Sequence, residues 1–292
     1  MAVTEPQFDL KRAPFQVNPG TSPAQAAEEI AACFEVVAGL SGKLTRAAHT
    51  AMETTGIEPA APLVRAAATL AAEIDAGVGD GRANPYHNAQ HYCEVMLSAL
   101  YLSAHAGLTP LERARMVAAG LAHDFHHDGR TSIGMPFRLE RLAAQAAMPY
   151  FEMAGVPPDE CARVTALILS TETTEGVPYA RKLHAHFSMG APKPEPVASE
   201  PRLSILADDP ALTRQAVLLA EADLLPSVGL TIYYGELTQA NLAREWNRTM
   251  TAVDKVFFLE KIFGDFVVGT YFSPNVHDMK AAMKRKAEAI AR

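Results

Sequence analysis

The stretch AAGLAHDFHHDG, residues 118 to 129, joins five small or apolar residues to a run of imidazoles and carboxylates. AAGLA has the character of a helix that packs inside, and it would carry His123 and Asp124 from that interior to the edge of a cavity. A carboxylate placed that deep needs a charged or hydrogen-bonding partner. Metal coordination meets the need, because Asp oxygen and His nitrogen can bind one cation together. Local hydrogen bonding with solvent-facing histidines is the other reading of the cluster at this point. Asp128 before Gly129 also reads as a turn.

Upstream, Thr109-Pro110-Leu111-Glu112 is a capping box that starts the helix carrying Met116, Val117 and Leu121 toward this cluster. Before it, Asn88 to about Ala104 reads as a helix, with His87 and His91 four apart and so one turn apart on one side if both are helical. Glu94 lies three beyond His91. On its own, HxxxH equally fits internal hydrogen bonding, and it lacks the Glu after the first His that marks a metalloprotease. Downstream, Asp223 sits in QAVLLAEADLLPSV, a mainly apolar helix with a charge near its end. Glu140 and the pair Thr171-Glu172 also fit charged helix surface.

The remaining pattern is helical. Ser22-Pro23-Ala24-Gln25 supplies an N-cap, a proline at the first position and a capping-box glutamine, ahead of AAEEIAACFEVVAGL. Further helices are expected over 62–75, 136–153, 158–170, 210–224 and 238–268. Few stretches alternate with period two between hairpin turns, so the fold class is all-α, a compact multi-helix domain. Residues 1–20 read as an N-terminal arm. Residues 21–82 read as a helical part of the same domain, 83–275 as the core with a Pro-rich loop near 187–207, and 276–292 as a helical tail.

Composition bounds the function. The 292 residues are 49% hydrophobic, and the formal charge of −7 argues against an extended nucleic-acid partner, which needs concentrated positive surface. A small phosphate ester is compatible, because bound cations can supply local positive charge. The start, MAVTEPQFDLKRAPF, lacks a basic leader with an apolar stretch, and no apolar run reaches membrane-spanning length. Cys33, Cys93 and Cys161 are isolated and odd in number, which suits a reducing cytoplasm. A cytoplasmic protein with no membrane partner is expected, and composition leaves a homo-oligomer open.

The order YHNxxH, HDxxH and a distant Asp in an apolar helix resembles the catalytic domain of class I 3′,5′-cyclic nucleotide phosphodiesterases, within the HD-domain superfamily. Tyr86-His87-Asn88 with His91 matches the first motif, His123, Asp124 and His127 the second, and Ala222-Asp223-Leu224 the third. The resemblance covers roughly 84 to 270. It implies an all-α HD/PDEase-like fold and two divalent ions, Zn2+ at the tighter site and Mg2+ or Mn2+ at the second, with iron a further option. It implies that His91, His123, Asp124 and Asp223 bind the tighter ion, Asp124 bridging to the other. His127, Glu140 and Thr171 would surround the second ion, and His87 would be the general acid. Glu94 stands where the family has an aspartate, keeping a carboxylate to orient an imidazole. The implied reaction is cleavage of a cyclic nucleotide, cAMP or cGMP, to the 5′-nucleotide by a metal-bridging hydroxide.

The chain departs from the family in two places. Asp128 replaces a proline after His127, and no Asn follows directly on Arg130. In DKVFFLEKIFGDFV, Lys255 stands where the family has a purine-recognising glutamine and Phe258 where it has an aromatic clamp. Lysine donates only, whereas an amide both donates and accepts. Phe258 also fits plain helix packing alongside Phe257 and Ile262. Hydrolysis of another phosphodiester or a phosphate monoester, an HD-type di-iron oxygenase, and a non-catalytic nucleotide sensor are the alternative functions.

Overall fold

A computed structural model describes residues 20–268 and 270–290. Among these, twelve α-helices follow in order: α1 (Pro23–Ala38), α2 (Lys43–Thr55), α3 (Pro62–Asp75), α4 (Ala89–His105), α5 (Pro110–Ala122), α6 (Arg138–Met153), α7 (Pro158–Leu169), α8 (Gly176–Met189), α9 (Pro210–Leu224), α10 (Ile232–Glu245), α11 (Ala252–Phe257) and α12 (Ser273–Ile290). No strand occurs among the described residues, so the all-α expectation holds. The arm expected over residues 1–20 lies outside the described residues, except for Gly20.

Three helices form the centre because they are apolar or small nearly all round. Every residue of α4 from His91 to Ser103 is buried, as is α5 from Ala114 to Ala122 and α9 from Leu212 to Ala222, except Arg214. α4 packs on α5 and on α9, with α2 against both α4 and α5. Gly120 permits the closest part of that packing, since a Cβ there would stand 3.1 Å from the Met96 Cα. Ile30 of α1 and Met279 of α12 belong to the same apolar core.

The helix ends follow local chemistry. Ser22 accepts from the Gln25 N–H, and both halves of the Thr109–Glu112 capping box form. Pro62–Asp75 is helical as the pattern predicts. The long helix expected over 238–268 is instead broken into α10, α11 and a π-turn at Phe258–Phe263. Asn247 takes a left-handed φ of 45°, and Thr251 starts α11 with its own capping box to Asp254. α2 and α8 were not expected: Gly42 and Glu175 at their N-termini make no side-chain cap hydrogen bond, so neither start carries a sequence signal. Gly190 to Glu200 runs without helix, in the Pro-rich region read as a loop, and Pro201–Asp208 forms a 3-10 helix. No single helix among the described residues is long and apolar enough to cross a membrane.

Candidate metal centre

Each central helix ends in a residue picked out by the sequence. His91 lies in the first turn of α4, His123 caps the C-terminus of α5, and Asp223 occupies the last turn of α9. Their ligand atoms lie within 4.8 Å of one another. His91 Nε2 is 3.2 Å from Asp223 Oδ1 and 3.5 Å from Asp124 Oδ2. His123 Nε2 is 3.6 Å and 3.3 Å from the same two oxygens. Both Nε2 atoms are buried, yet neither forms a hydrogen bond. Two imidazole nitrogens and two carboxylates that converge without bonding one another fit the donor set of a divalent cation.

The backbone fixes this convergence. His123 Nδ1 lies 2.8 Å from the Gly120 carbonyl, which leaves Nε2 toward the carboxylates. After His123 the chain turns tightly: Phe125 N donates to Ala122 O and His127 N to Asp124 O, while His126 takes φ 67°. His126 faces solvent, whereas His127 is buried. Asp128 accepts two hydrogen bonds from Arg138, at 2.6 and 3.1 Å. That guanidinium holds its carboxyl down at about 2.

A second group lies beside the first. His87 precedes the α4 N-cap Asn88, so it belongs to a turn and the condition that both histidines be helical is not met. Its ring stacks on His127 at 3.9 Å and 18° and meets His91 edge-on at 5.6 Å. Asn84 Nδ2 ties the two stacked segments by donating to the carbonyls of His87 and His127 at 2.9 and 2.8 Å. Gly81 has φ 60°, and a Cβ there would fall 2.2 Å from the His87 carbonyl, so this loop requires glycine.

The partner of His87 is Glu245, which the sequence reading missed. Its Oε1 lies 2.5 Å from His87 Nδ1, and its Oε2 accepts from the N–H groups of Tyr86 and His87, both at 2.9 Å. Glu245 stands 158 positions away at the end of α10, and no local pattern marks it. Glu94, expected to hold an imidazole, does not do so for His87. Its Oε1 accepts from Tyr234 Oη at 2.5 Å and Gln90 Nε2 at 2.9 Å inside the core, where burial pushes its pKa up.

The stacked histidines are driven apart electrostatically. Burial opposes the charged form of His87, but the hydrogen bond to Glu245 and the charge of Asp124 outweigh it and raise its pKa. Burial takes His127 down to about 4, and its Nδ1 accepts from Gly129 N at 3.0 Å. One ring is thus set to hold a proton on Nε2 beyond Nδ1, while the other stays neutral.

The remaining predicted residues vary in place. The Tyr86 ring lies 4.6 Å from that of His91, tilted at 35°, and its hydroxyl pKa is raised by burial and by Asp223. Glu140 on α6 is half-buried with an unpartnered Oε2; burial, then Asp124, Glu172 and Asp223, push it to about 7. Thr171 is buried and donates to Ile168 O, while Glu172 accepts from the N–H groups of Thr174, Glu175 and Gly176 at the start of α8. Lys255 is buried and donates to Ser227 Oγ at 2.7 Å; Phe258 is half-buried and stacks on Phe263 at 6.0 Å.

No family model and no curated protein matches the sequence. Solved structures do share its fold. The phosphodiesterase domain of the RhoPDE fusion protein from the choanoflagellate Salpingoeca rosetta is 17% identical with a TM-score of 0.59, over 88% of this chain and 92% of that one. LmjPDEB1 in complex with IBMX is 14% identical with a TM-score of 0.62, over 96% and 94%. Yeast caPDE2 in complex with IBMX is 12% identical with a TM-score of 0.58, over 90% and 73%. The fold implied by the ordered motifs is therefore the fold observed.

Proposed function

We propose that this chain, which shares the fold of solved phosphodiesterase domains, is a metal-dependent phosphodiester hydrolase that opens a 3′,5′-cyclic nucleotide to the 5′-nucleotide. The observation that carries the reading is the meeting of His91, His123, Asp124 and Asp223 from three buried helices, with both Nε2 atoms unpartnered. These four would hold one divalent cation, Zn2+ by its preference for nitrogen and carboxylate donors. Asp124, with Glu140 and His127 behind it, would face a second, Mg2+ or Mn2+. When bound, the cations supply charge neutralisation at a phosphate ester and an activated water.

The protein's own groups supply the rest. His87 holds its proton for the departing alkoxide, because Glu245 binds Nδ1 and leaves Nε2 as the free donor. Glu245 also fixes the backbone that carries the ring. His127 stays neutral against the His87 face and so does not compete for that proton. Two similar structures hold IBMX, which supports a small-molecule pocket in this fold. A His87→Asn variant tests the assignment: metal content should match wild type while turnover falls roughly 10²- to 10⁴-fold. Equal turnover on a confirmed substrate would remove His87 from the role.

A further inference from the structure

The turn that ends α10 forms a cavity of about 410 Å³ lined by Ala243, Arg244, Asn247, Arg248 and Thr249. Two arginines and no carboxylate line it, in a chain whose formal charge is −7. The local sequence builds this turn. Asn247 takes the left-handed φ of 45°, Arg248 N donates to Ala243 O at 3.0 Å, and Asn247 N donates to Arg244 O at 3.2 Å. These are the two hydrogen bonds that close a helix through a left-handed residue. The closure returns Arg248 beside the last turn of α10, so both guanidiniums border one hollow. It also occupies two of the helix's last carbonyls, whose partial negative charge would otherwise oppose an anion.

Neither guanidinium is used up by its neighbours. Arg244 donates through Nη2 to Asn241 Oδ1, and Arg248 donates through Nη2 to Asp254 Oδ1 at 3.3 Å. A guanidinium has five N–H donors, so each retains several. The carboxylate of Glu245, next to Arg244 in sequence, is taken by His87 and by the N–H groups of Tyr86 and His87. Thr249 and Asn247 add a hydroxyl and an amide to the lining. Within the same turn, Trp246 buries its Nε1 without a hydrogen-bond partner, and the Arg248 guanidinium lies 5.9 Å from its ring centre. A hollow rich in donors and bordered by two planar guanidiniums matches the oxygens of a phosphate group.

We infer that this hollow is an anion site, separate from the candidate metal centre, that takes the phosphate group of a small molecule between Arg244 and Arg248. Phosphate bound there draws on both side chains, so loss of either removes charged hydrogen bonds that correspond to about 10-fold or more in affinity.

Trp246 is the only tryptophan in the chain, so its selectively excited fluorescence reports on this turn. The full chain, purified from medium supplemented with zinc and magnesium, is titrated with inorganic phosphate and with glycerol phosphate, against sodium chloride at matched ionic strength. Two charged contacts predict half-saturation at about 1 mM or below. Arg244→Gln and Arg248→Gln, both at exposed positions, should each weaken binding at least about 10-fold. Asp124→Ala, which alters the metal group, should leave the midpoint within about twofold. If Asp124→Ala does not fold, titration of wild type after chelation takes its place. Tighter binding of glycerol phosphate would identify an ester as the occupant and equal binding the free ion; either sustains the inference. No saturable change, the same change with sodium chloride, an unchanged midpoint in both folded arginine variants, or loss of the response in Asp124→Ala or after chelation overturns it. No step of the titration needs ester hydrolysis, so failure of the proposed reaction and failure of this site are distinguishable.

Discussion

Replacing Glu245 by glutamine keeps the shape of the side chain and removes its charge. The carboxylate accepts three hydrogen bonds: His87 Nδ1 on one oxygen, and the N–H groups of Tyr86 and His87 on the other. A glutamine oxygen can serve only one of these sides. If it serves Nδ1, the amide NH2 points at two backbone donors; if it serves the backbone, the NH2 points at the ring. The first arrangement strands two partly buried donors at about 1 to 3 kcal/mol each, so a stability loss of about 2 to 6 kcal/mol is expected from urea unfolding. Turnover should fall about 10- to 100-fold, less than on removing the ring itself.

The sign of the pH effect follows from the same contacts. His87 must be protonated to act as an acid, and Glu245 helps raise its pKa above 6.5. In Glu245→Gln the alkaline fall in kcat should therefore move to lower pH. In the wild type, the raised pKa of His87 contributes stability below 6.5 that is lost as pH rises through its folded value. The lowered pKa of Glu245 contributes above 4.5 and is lost as pH falls. Superimposable pH profiles for wild type and a folded Glu245→Gln protein would refute the coupling.

Asp223→Ala should leave less than one equivalent of tightly bound divalent metal by elemental analysis, and full metal content in this variant would exclude Asp223 as a ligand. Chelation should lower the melting temperature of wild type, since bound cations favour the folded state, and an unchanged melting curve would argue that the histidines bind nothing. Gly81→Ala should lose about 1 to 3 kcal/mol and most of its activity, because its Cβ meets the His87 carbonyl; a wild-type melting curve would show that the loop tolerates it. Arg115→Ala should cost about 3 to 5 kcal/mol by leaving Glu160 buried without its two hydrogen bonds from that guanidinium. Superimposable unfolding curves for this variant and wild type would contradict it.

The residues of the candidate metal group stood out in the sequence because they sit in short, ordered motifs at the ends of apolar helices. His91, His123, Asp124 and Asp223 each follow or lead a buried segment, so pattern and chemistry point the same way. The whole-chain sequence gives far weaker signals: the similar folds are only 12–17% identical, and no family model responds. Glu245 was illegible because its meaning arises from a contact 158 positions distant. Glu94 was expected to orient an imidazole, and only the packing of α4, which turns it toward Tyr234, shows the hydrogen bonds it makes instead. The break after α10 was hidden because Asn247 is the only residue between apolar runs whose backbone turns left-handed there.

The converging histidines and aspartates are proposed to support phosphodiester hydrolysis. A metal-supplemented screen of 3′,5′-cyclic nucleotides and other phosphodiesters, with products identified by mass, tests it most directly. Release of a 5′-nucleotide that depends on added divalent cation and is lost in Asp124→Ala is expected. Absence of ester hydrolysis across metals and pH, from folded and metal-loaded protein, would contradict it.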